Sequence, residues 1–350
     1  MRVGSFVLAA QFPGQGQGEA LHRAVRSAEV AEEAGLDSVW LAEHHFVPYG
    51  TCPSAVTLAA LLLGRTRRIG VGTAVSVLPT VHPVALGEQA ALLHLTSGGR
   101  FSLGVGRGGP WVDLEVFGAG LDAYEKGFPD SLDLLLRWLS EPRVASEAGR
   151  FPFREVAVVP RPQEALTGSR EDAGEASGGP EVIVACTSPS SVRLAAERGL
   201  PMLLGMHVGD EEKAEMVALW QRHARAAGRT PEEVHRAAHV SAGVAQIADR
   251  RLDAAETLQK AMPGWLKQGL DAHVTVDGRA RAVRDPLAYT ELLCGLHPVG
   301  TPQLCADRIA ATSERTGITR FALLVEGSGD LATTEENVRR LGAEVLPQLG

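Results

Sequence analysis

Residues 69–109 read IGVGTAVSVLPTVHPVALGEQAALLHLTSGGRFSLGVGRGG, and they constrain the fold more than any other stretch. Residues 69–77 are apolar at consecutive as well as alternate positions, the pattern of a strand buried on both faces. Pro79 and Pro83 interrupt the run, and Pro83 stands where a helix starts without losing a needed N–H. Residues 84–95 carry apolar side chains at helical spacing and stop at Ser97-Gly98-Gly99. Residues 101–105 form a second apolar strand that runs into Gly106-Arg107-Gly108-Gly109. Strand, helix and strand in this order make one βαβ unit, with a loop rich in glycine at its end.

The same alternation extends along the chain. Further strands are expected at 3–10, 37–42, 181–185, 201–205, 238–245 and 318–326. Helices are expected at 19–34, 52–63, 124–139, 210–227, 250–262, 301–316 and 333–346, and residues 151–159 alternate like a short hairpin. About eight strands separated by helices imply a parallel sheet. A doubly wound sheet and a (β/α)8 barrel both satisfy that count. The units are spread evenly over 350 residues with no break in composition, which favours one α/β barrel domain over 1–350. Two stretches stand apart. Residues 163–180 are polar and aperiodic, and read as a mobile surface insertion. Residues 263–298 are long and irregular, mixing charged and aromatic residues, and read as an active-site lid loop.

Composition then excludes several classes. Hydrophobic residues make up 45% of the chain, too many for a disordered one. The formal net charge is −8 with the basic residues scattered, so no basic face for nucleic acid or an anionic membrane is expected. Cys52, Cys186, Cys294 and Cys305 form no CxxC pair, which suits a reduced chain without structural zinc. The apolar run at the N-terminus stops at Gln11 and Pro13 and resembles a first strand more than a signal peptide. A cytoplasmic location is the expectation, since no apolar run approaches the ~20 residues of a membrane span.

In a barrel the chemistry collects at the C-terminal strand ends. Those ends carry His44 and His45, then Thr73 to Ser76, then Arg107. They continue with Thr187, Ser190 and Ser191, then Met206 and His207, then Gln246 and Glu326. Thr187 to Ser191 places hydroxyls at a strand-to-helix turn, where free N–H groups and the helix dipole suit a phosphate. Arg107 would supply a planar counter-charge; without it, ordinary helix capping explains the cluster better. Gly104, Gly106 and Gly109 match GxGxxG, but Pro110-Trp111 and a long loop follow where a dinucleotide site needs a helix. Glu43-His44-His45 lacks metal-ligand spacing, so no metal is expected. On an extended segment the two histidines would point to opposite sides, one to the pocket and one to a packing or subunit surface.

Several stretches together resemble the bacterial luciferase-like flavin-dependent monooxygenases, with the luciferase α chain as the nearest pattern. They are VWLAEHHF (39–46), VGTAVSVLPTVHPVALGEQ (71–89), SGGRFSLGVGRG (97–108), GLPMLL (199–204) and HPVGTPQLCADRI (297–309). They occur in the family's order over nearly the whole chain. The resemblance implies a (β/α)8 TIM barrel that takes reduced FMN from a separate flavin reductase. With O2, a flavin (hydro)peroxide would then oxygenate a small organic substrate, an aldehyde or a secondary metabolite. It implies that His44 is the catalytic histidine, exchanging protons in a range useful to catalysis. It places Arg107 on the flavin phosphate with Thr187, Ser190 and Ser191. It places a non-prolyl cis peptide at Ala74–Val75, under the flavin ring. His45, His82 and Glu88 fall in a subunit-interface region, implying a homodimer. Gly106 stands where the luciferase α chain has a reactive cysteine, leaving room beside the flavin, and Cys186 stands where it has a glutamate. Two other readings remain: a deazaflavin (F420)-dependent oxidoreductase of the same fold, and a non-catalytic flavin-binding chain.

Overall fold

A computed structural model of the chain describes residues 1–147, 149–163, 178–279 and 284–350. Most of the expected insertion at 163–180 lies outside the described residues. The strands are β1 (Arg2–Val7), β2 (Ser38–Leu41), β3 (Gly70–Thr73), β4 (Ser76–Val77) and β5 (Phe101–Gly106). A separate antiparallel hairpin follows, β6 (Arg143–Ser146) and β7 (Phe153–Ala157). Then come β8 (Glu181–Cys186), β9 (Met202–Leu204), β10 (Val240–Val244), the short β11 (Gln246–Ile247) and β12 (Val299–Gly300), and β13 (Arg320–Leu324).

Spatial order around the main sheet is β3-β2-β1-β13-β10-β9-β8-β5-β4, and a further β3–β5 pairing closes it. Every pairing in it is parallel, with Arg2 opposite Arg320 and Phe6 opposite Leu324 where the first strand meets the last. β3 and β4 are two halves of one stave, so the closed sheet is an eight-strand (β/α)8 barrel. The sequence had suggested one unbroken strand over 69–77. It is divided at Ala74–Val75, whose peptide bond is cis.

Period-two alternation sorts the side chains into two cores. Val3, Val7, Val39, Leu41, Val182 and Val184 pack outward against the helices. Phe6, Leu8, Trp40, Ala42, Ile183 and Leu203 fill the barrel. The barrel therefore holds a packed interior, and a cavity can form only at its end.

The helices are α1 (Gln17–Glu33), α2 (Ala55–Arg65), α3 (Pro83–Thr96), α4 (Asp113–Val116), α5 (Leu121–Glu125) and α6 (Phe128–Ser140). They continue with α7 (Pro189–Glu197), α8 (Asp210–Ala226), α9 (Pro231–Arg236), α10 (Arg251–Asp271), α11 (Pro286–Leu296), α12 (Pro302–Thr316) and α13 (Leu331–Arg340). Proline opens several behind a capping side chain. Thr301 accepts the Leu304 N–H before α12, and Asp285 accepts the Ala288 N–H before α11.

The helix expected over 124–139 is split, with α5 ending at Glu125 and α6 starting at Phe128. The expected irregular segment at 263–298 is also corrected. α10 runs through Pro263 to Asp271, and α11 occupies 286–296, so among the described residues of this segment only 272–279, 284–285 and 297–298 lie outside a helix. A proline inside a helix costs about 3 kcal/mol. Met262, Trp265 and Leu266, each fully buried, set more than that against it.

Candidate functional site

A cavity of about 330 Å³ opens at the C-terminal end of the barrel. Its first wall comes from the turn after β2. The Glu43 carboxylate accepts the N–H of Val77 at 2.9 Å and of Ala55 at 3.0 Å, tying this turn to β4 and α2. Glu43 is thereby a structural brace. Phe46 has φ 62°, so the segment bends instead of running extended. The strand has already ended at Leu41, so alternation no longer holds, and His44 and His45 line the same cavity.

His44 is half-buried, and its ring stands edge-on to Tyr49 at 5.0 Å. Gly50 makes that placement feasible: a Cβ there would lie 2.6 Å from the His44 Nδ1. This nitrogen is sequestered and has no protein partner among the described residues. Burial, and then the neighbouring His273 and His45, push the imidazole down to about 3. His44 is thus neutral at physiological pH in the free protein, outside the range the sequence suggested. The His45 Nε2 lies 3.7 Å from Glu43, and its ring meets Phe117 at 4.9 Å.

Ala74 and Val75 form another wall of the cavity. Gly106 leaves no room beside them: a Cβ there would lie 2.5 Å from the Val75 Cγ2, so Val75 already fills the space. Trp111 enters from the loop after β5, Asp113 from the start of α4, and His273 from the stretch after α10. Those two segments are stitched together. The Val112 N–H donates to Val274 O and the Val276 N–H to Pro110 O, both at 2.9 Å, around a Trp111–Thr275 bridge. The His273 ring lies 4.7 Å from the Trp111 ring, and its Nδ1 is 2.9 Å from Gly269 O. Burial raises the affinity of the Asp113 carboxyl for its proton, offset by its Leu114 N–H bond and by His45 and His273.

On the outer side, Arg107 and Thr187 each follow directly on a strand, β5 and β8, and those strands pair in parallel. Arg107 is exposed and its guanidinium lies over the Tyr124 ring at 4.4 Å. Ser188 caps α7 in a capping box with Ser191, whose Oγ accepts the N–H groups of Thr187 and Ser188. Ser191 is therefore committed to the turn itself. Thr187 and Ser190 are exposed, the Ser190 hydroxyl 2.9 Å from that of Ser188. Cys186 faces the helix layer, its thiol 3.4 Å from Val184 O and Ser191 O, and burial pushes it up to about 12. Only its backbone is left for a ligand.

Of the residues expected at a subunit interface, His82 caps α3 by accepting the Val84 N–H, and Glu88 is exposed on the same helix. The side chain of His45 lies in the cavity. Gln246 and Glu326, expected on the rim, are buried. Tyr49, Asp113 and His273 belong to no motif in the sequence; Trp111 reads there only as a loop residue, and His273 falls within the segment that reads as a lid.

The arrangement defines a barrel enzyme with a histidine-bearing pocket at the strand ends. A family model described as luciferase-like monooxygenase matches residues 1–320. The alkanal monooxygenase alpha chain of Photorhabdus luminescens is 28% identical over 366 aligned positions, spanning 100% of this chain and 98% of its own. 4-Hydroxyprotoasukamycin monooxygenase of Streptomyces nodosus subsp. asukaensis is 29% identical over 314 positions, 87% of this chain and 80% of its own. Among solved structures, a monooxygenase from Streptomyces bottropensis superposes with a TM-score of 0.82 at 22% identity, covering 100% of both chains. The oxygenating constituent of 3,6-diketocamphane monooxygenase from Pseudomonas putida, in complex with FMN, gives 0.75 at 20%, over 100% of this chain and 99% of the other. An F420-dependent secondary alcohol dehydrogenase gives 0.71 at 16%, over 100% and 99%. The chain belongs to the luciferase-like monooxygenase family.

Proposed function

We propose that the chain is the oxygenating component of a two-component system that uses reduced FMN and O2 on a small organic substrate. One observation carries this reading. Arg107, which is exposed, and the exposed Thr187 and Ser190 at the start of α7 follow neighbouring paired strands, and Gly108 and Gly109 next to Arg107 line the His44 cavity. These residues fit a phosphate: a planar cation, two hydroxyls and a helix N-terminus. Bound reduced FMN would supply the two electrons with which one oxygen atom of O2 enters the substrate while the other leaves as water.

The chain's own residues would do the rest. Arg107, Thr187 and Ser190 hold the phosphate, and the Ala74–Val75 segment supports the ring system. The neutral imidazole of His44 offers one donor and one acceptor to the reacting groups. The stitched segments carrying Trp111 and His273 limit the entry of water. The printed names of the relatives, alkanal and 4-hydroxyprotoasukamycin monooxygenases, support an oxygenase. The loop after Gly109 supports a separate reductase. Only the four-residue α4 comes next, too short for a dinucleotide fingerprint. A second copy of the chain would cover the exposed side of α3 around Glu88 and Leu92, the latter 53% exposed. A monomer in sedimentation would remove that last element.

The test uses isotopically labelled O2 with chemically reduced FMN or reduced F420 and a panel of candidate substrates. Label in the product with FMN alone is expected; turnover with F420 and no label would overturn the assignment. Arg107→Ala should weaken FMN by about ten- to a hundredfold, as for loss of a charge-assisted bond, and riboflavin much less. Equal losses for both would remove the phosphate role.

A further inference from the structure

Of the rings that line the cavity, four form a row in which each meets the next. His44 meets Tyr49 at 5.0 Å, Tyr49 meets His273 at 6.2 Å, and His273 meets Trp111 at 4.7 Å. The wall they form is backed from behind. Trp265 stacks on Tyr49 with centroids 4.8 Å apart and planes 8° apart, and Phe12 stacks on Trp265 at 5.5 Å. The Trp265 indole N–H donates to Tyr49 O at 3.0 Å, which locks the column to the turn it supports. Two glycines are shaped to the wall. A Cβ on Gly269 would lie 2.7 Å from the Tyr49 Cβ, and one on Gly109 would overlap the Trp111 indole. The wall is therefore built before any ligand arrives, and binding against it loses little side-chain freedom.

The charges of the cavity narrow the ligand further. Among the described lining residues there are carboxylates, Glu43 and Asp113, and imidazoles, but no lysine or arginine. A substrate carrying a carboxylate or phosphate would be desolvated there with like charges nearby and no counter-charge. A hydroxyl would instead find acceptors.

We propose that the ring wall Tyr49–His273–Trp111, whose neighbouring rings stand 61° and 51° to one another and so offer edges as well as faces, is an aromatic platform for an uncharged, planar aromatic substrate of the phenol or naphthol type, in preference to an aliphatic chain. This rests on the oxygenase reading above for its reaction, but not for its binding. Ring faces gain from a stacked ring a directional attraction that a flexible alkyl chain does not provide.

The test is binding to the flavin-free protein, read by calorimetry and tryptophan fluorescence, with 2-naphthol and 1-decanol as probes. 2-Naphthol should bind about tenfold more tightly than decanol, the effect of roughly 1.4 kcal/mol of ring–ring preference. Trp111→Leu should remove most of that margin while leaving decanol unchanged. His273→Leu, on the stretch between two helices, should do so in part and serves if Trp111→Leu does not fold. Decanol binding as tightly as naphthol, or both variants weakening both probes alike, would overturn the proposal. FMN is titrated separately. Naphthol binding that persists at saturating FMN supports the platform, whereas competitive displacement would assign the wall to the flavin and overturn it. A protein that binds naphthol but not FMN would lose the flavin reading and keep the platform.

Discussion

The neutrality of His44 is set by its surroundings. The absence of a side chain at Gly50 leaves room for the ring, and burial then disfavours its cation. His297 is pushed to about 3 and His239 to about 4, in both cases first by burial. In the unfolded chain such groups take up a proton near pH 6.5. In the folded chain they stay neutral until the pH approaches 4 or 3. Between those limits the unfolded state binds more protons. Stability is therefore complete above the unfolded value and is lost as the pH falls, by at most about 1.4 kcal/mol per pH unit for each histidine. The urea midpoint should drop from pH 7 to pH 5, and His44→Asn should make that drop shallower. A slope unchanged in the variant would show that His44 does not bind a proton on unfolding. The sequence singled out His44 from its motif, but its titration depends on Gly50, His45 and His273, the last over two hundred residues away. Gly106 shows the same limit: a missing side chain reads as space, yet Val75 occupies it.

Elements were legible where local chemistry decides them and not where distant packing does. The caps at Thr301 and the turn at Ser97-Gly98-Gly99 mark helix ends whatever the rest of the chain does. Pro263 reads as a terminator by the same local logic, but the buried Trp265 and Leu266 carry α10 past it. The break within 69–77 falls between apolar residues and left no trace in the hydrophobic pattern. Least legible was the ladder joining 110–112 to 274–276, because neither segment has strand periodicity and the bond partners lie far apart in sequence. That ladder holds Trp111 and His273 over the cavity. Val276→Pro removes the N–H donated to Pro110 O and leaves the barrel core untouched. Loss of one such bond is worth about 0.5–1.5 kcal/mol locally. Hydrogen exchange at 272–279 should quicken by about two- to tenfold with Tm unchanged. Unaltered exchange there would mean that the segment is held by something other than this ladder.

For the whole molecule, the number of βα units was readable but closure was not, since an open doubly wound sheet has the same count. Closure is a matter of which strands meet. β13 pairs with β1 in register from Arg320 to Leu324, and β3 and β4 both pair with β5, on either side of the division at Ala74–Val75. Glu326, two residues beyond β13, secures the first of these seams. Its carboxylate accepts the Leu8 N–H at 2.6 Å and lies 3.5 Å from the Arg23 Nε, with both side chains 1% exposed. Arg23 in turn donates to Ala10 O and to Gly329 O, so one buried ion pair joins the first strand, the first helix and the loop after the last strand. A sequence reading places Glu326 on the catalytic rim because it ends a strand; its partners are structural. Burial alone raises its proton affinity, and Arg23 and the backbone donors oppose that rise. Removing only the carboxylate leaves a guanidinium buried without its counter-charge, a change worth about 3–5 kcal/mol. Glu326→Ala should lower global stability by that amount in urea, while Glu326→Gln, which keeps an acceptor for Leu8, should lose less. Both variants should retain the FMN affinity of the parent at temperatures where they remain folded. A Glu326→Ala protein as stable as the parent, or one that loses FMN while still folded, would return Glu326 from the seam to the site.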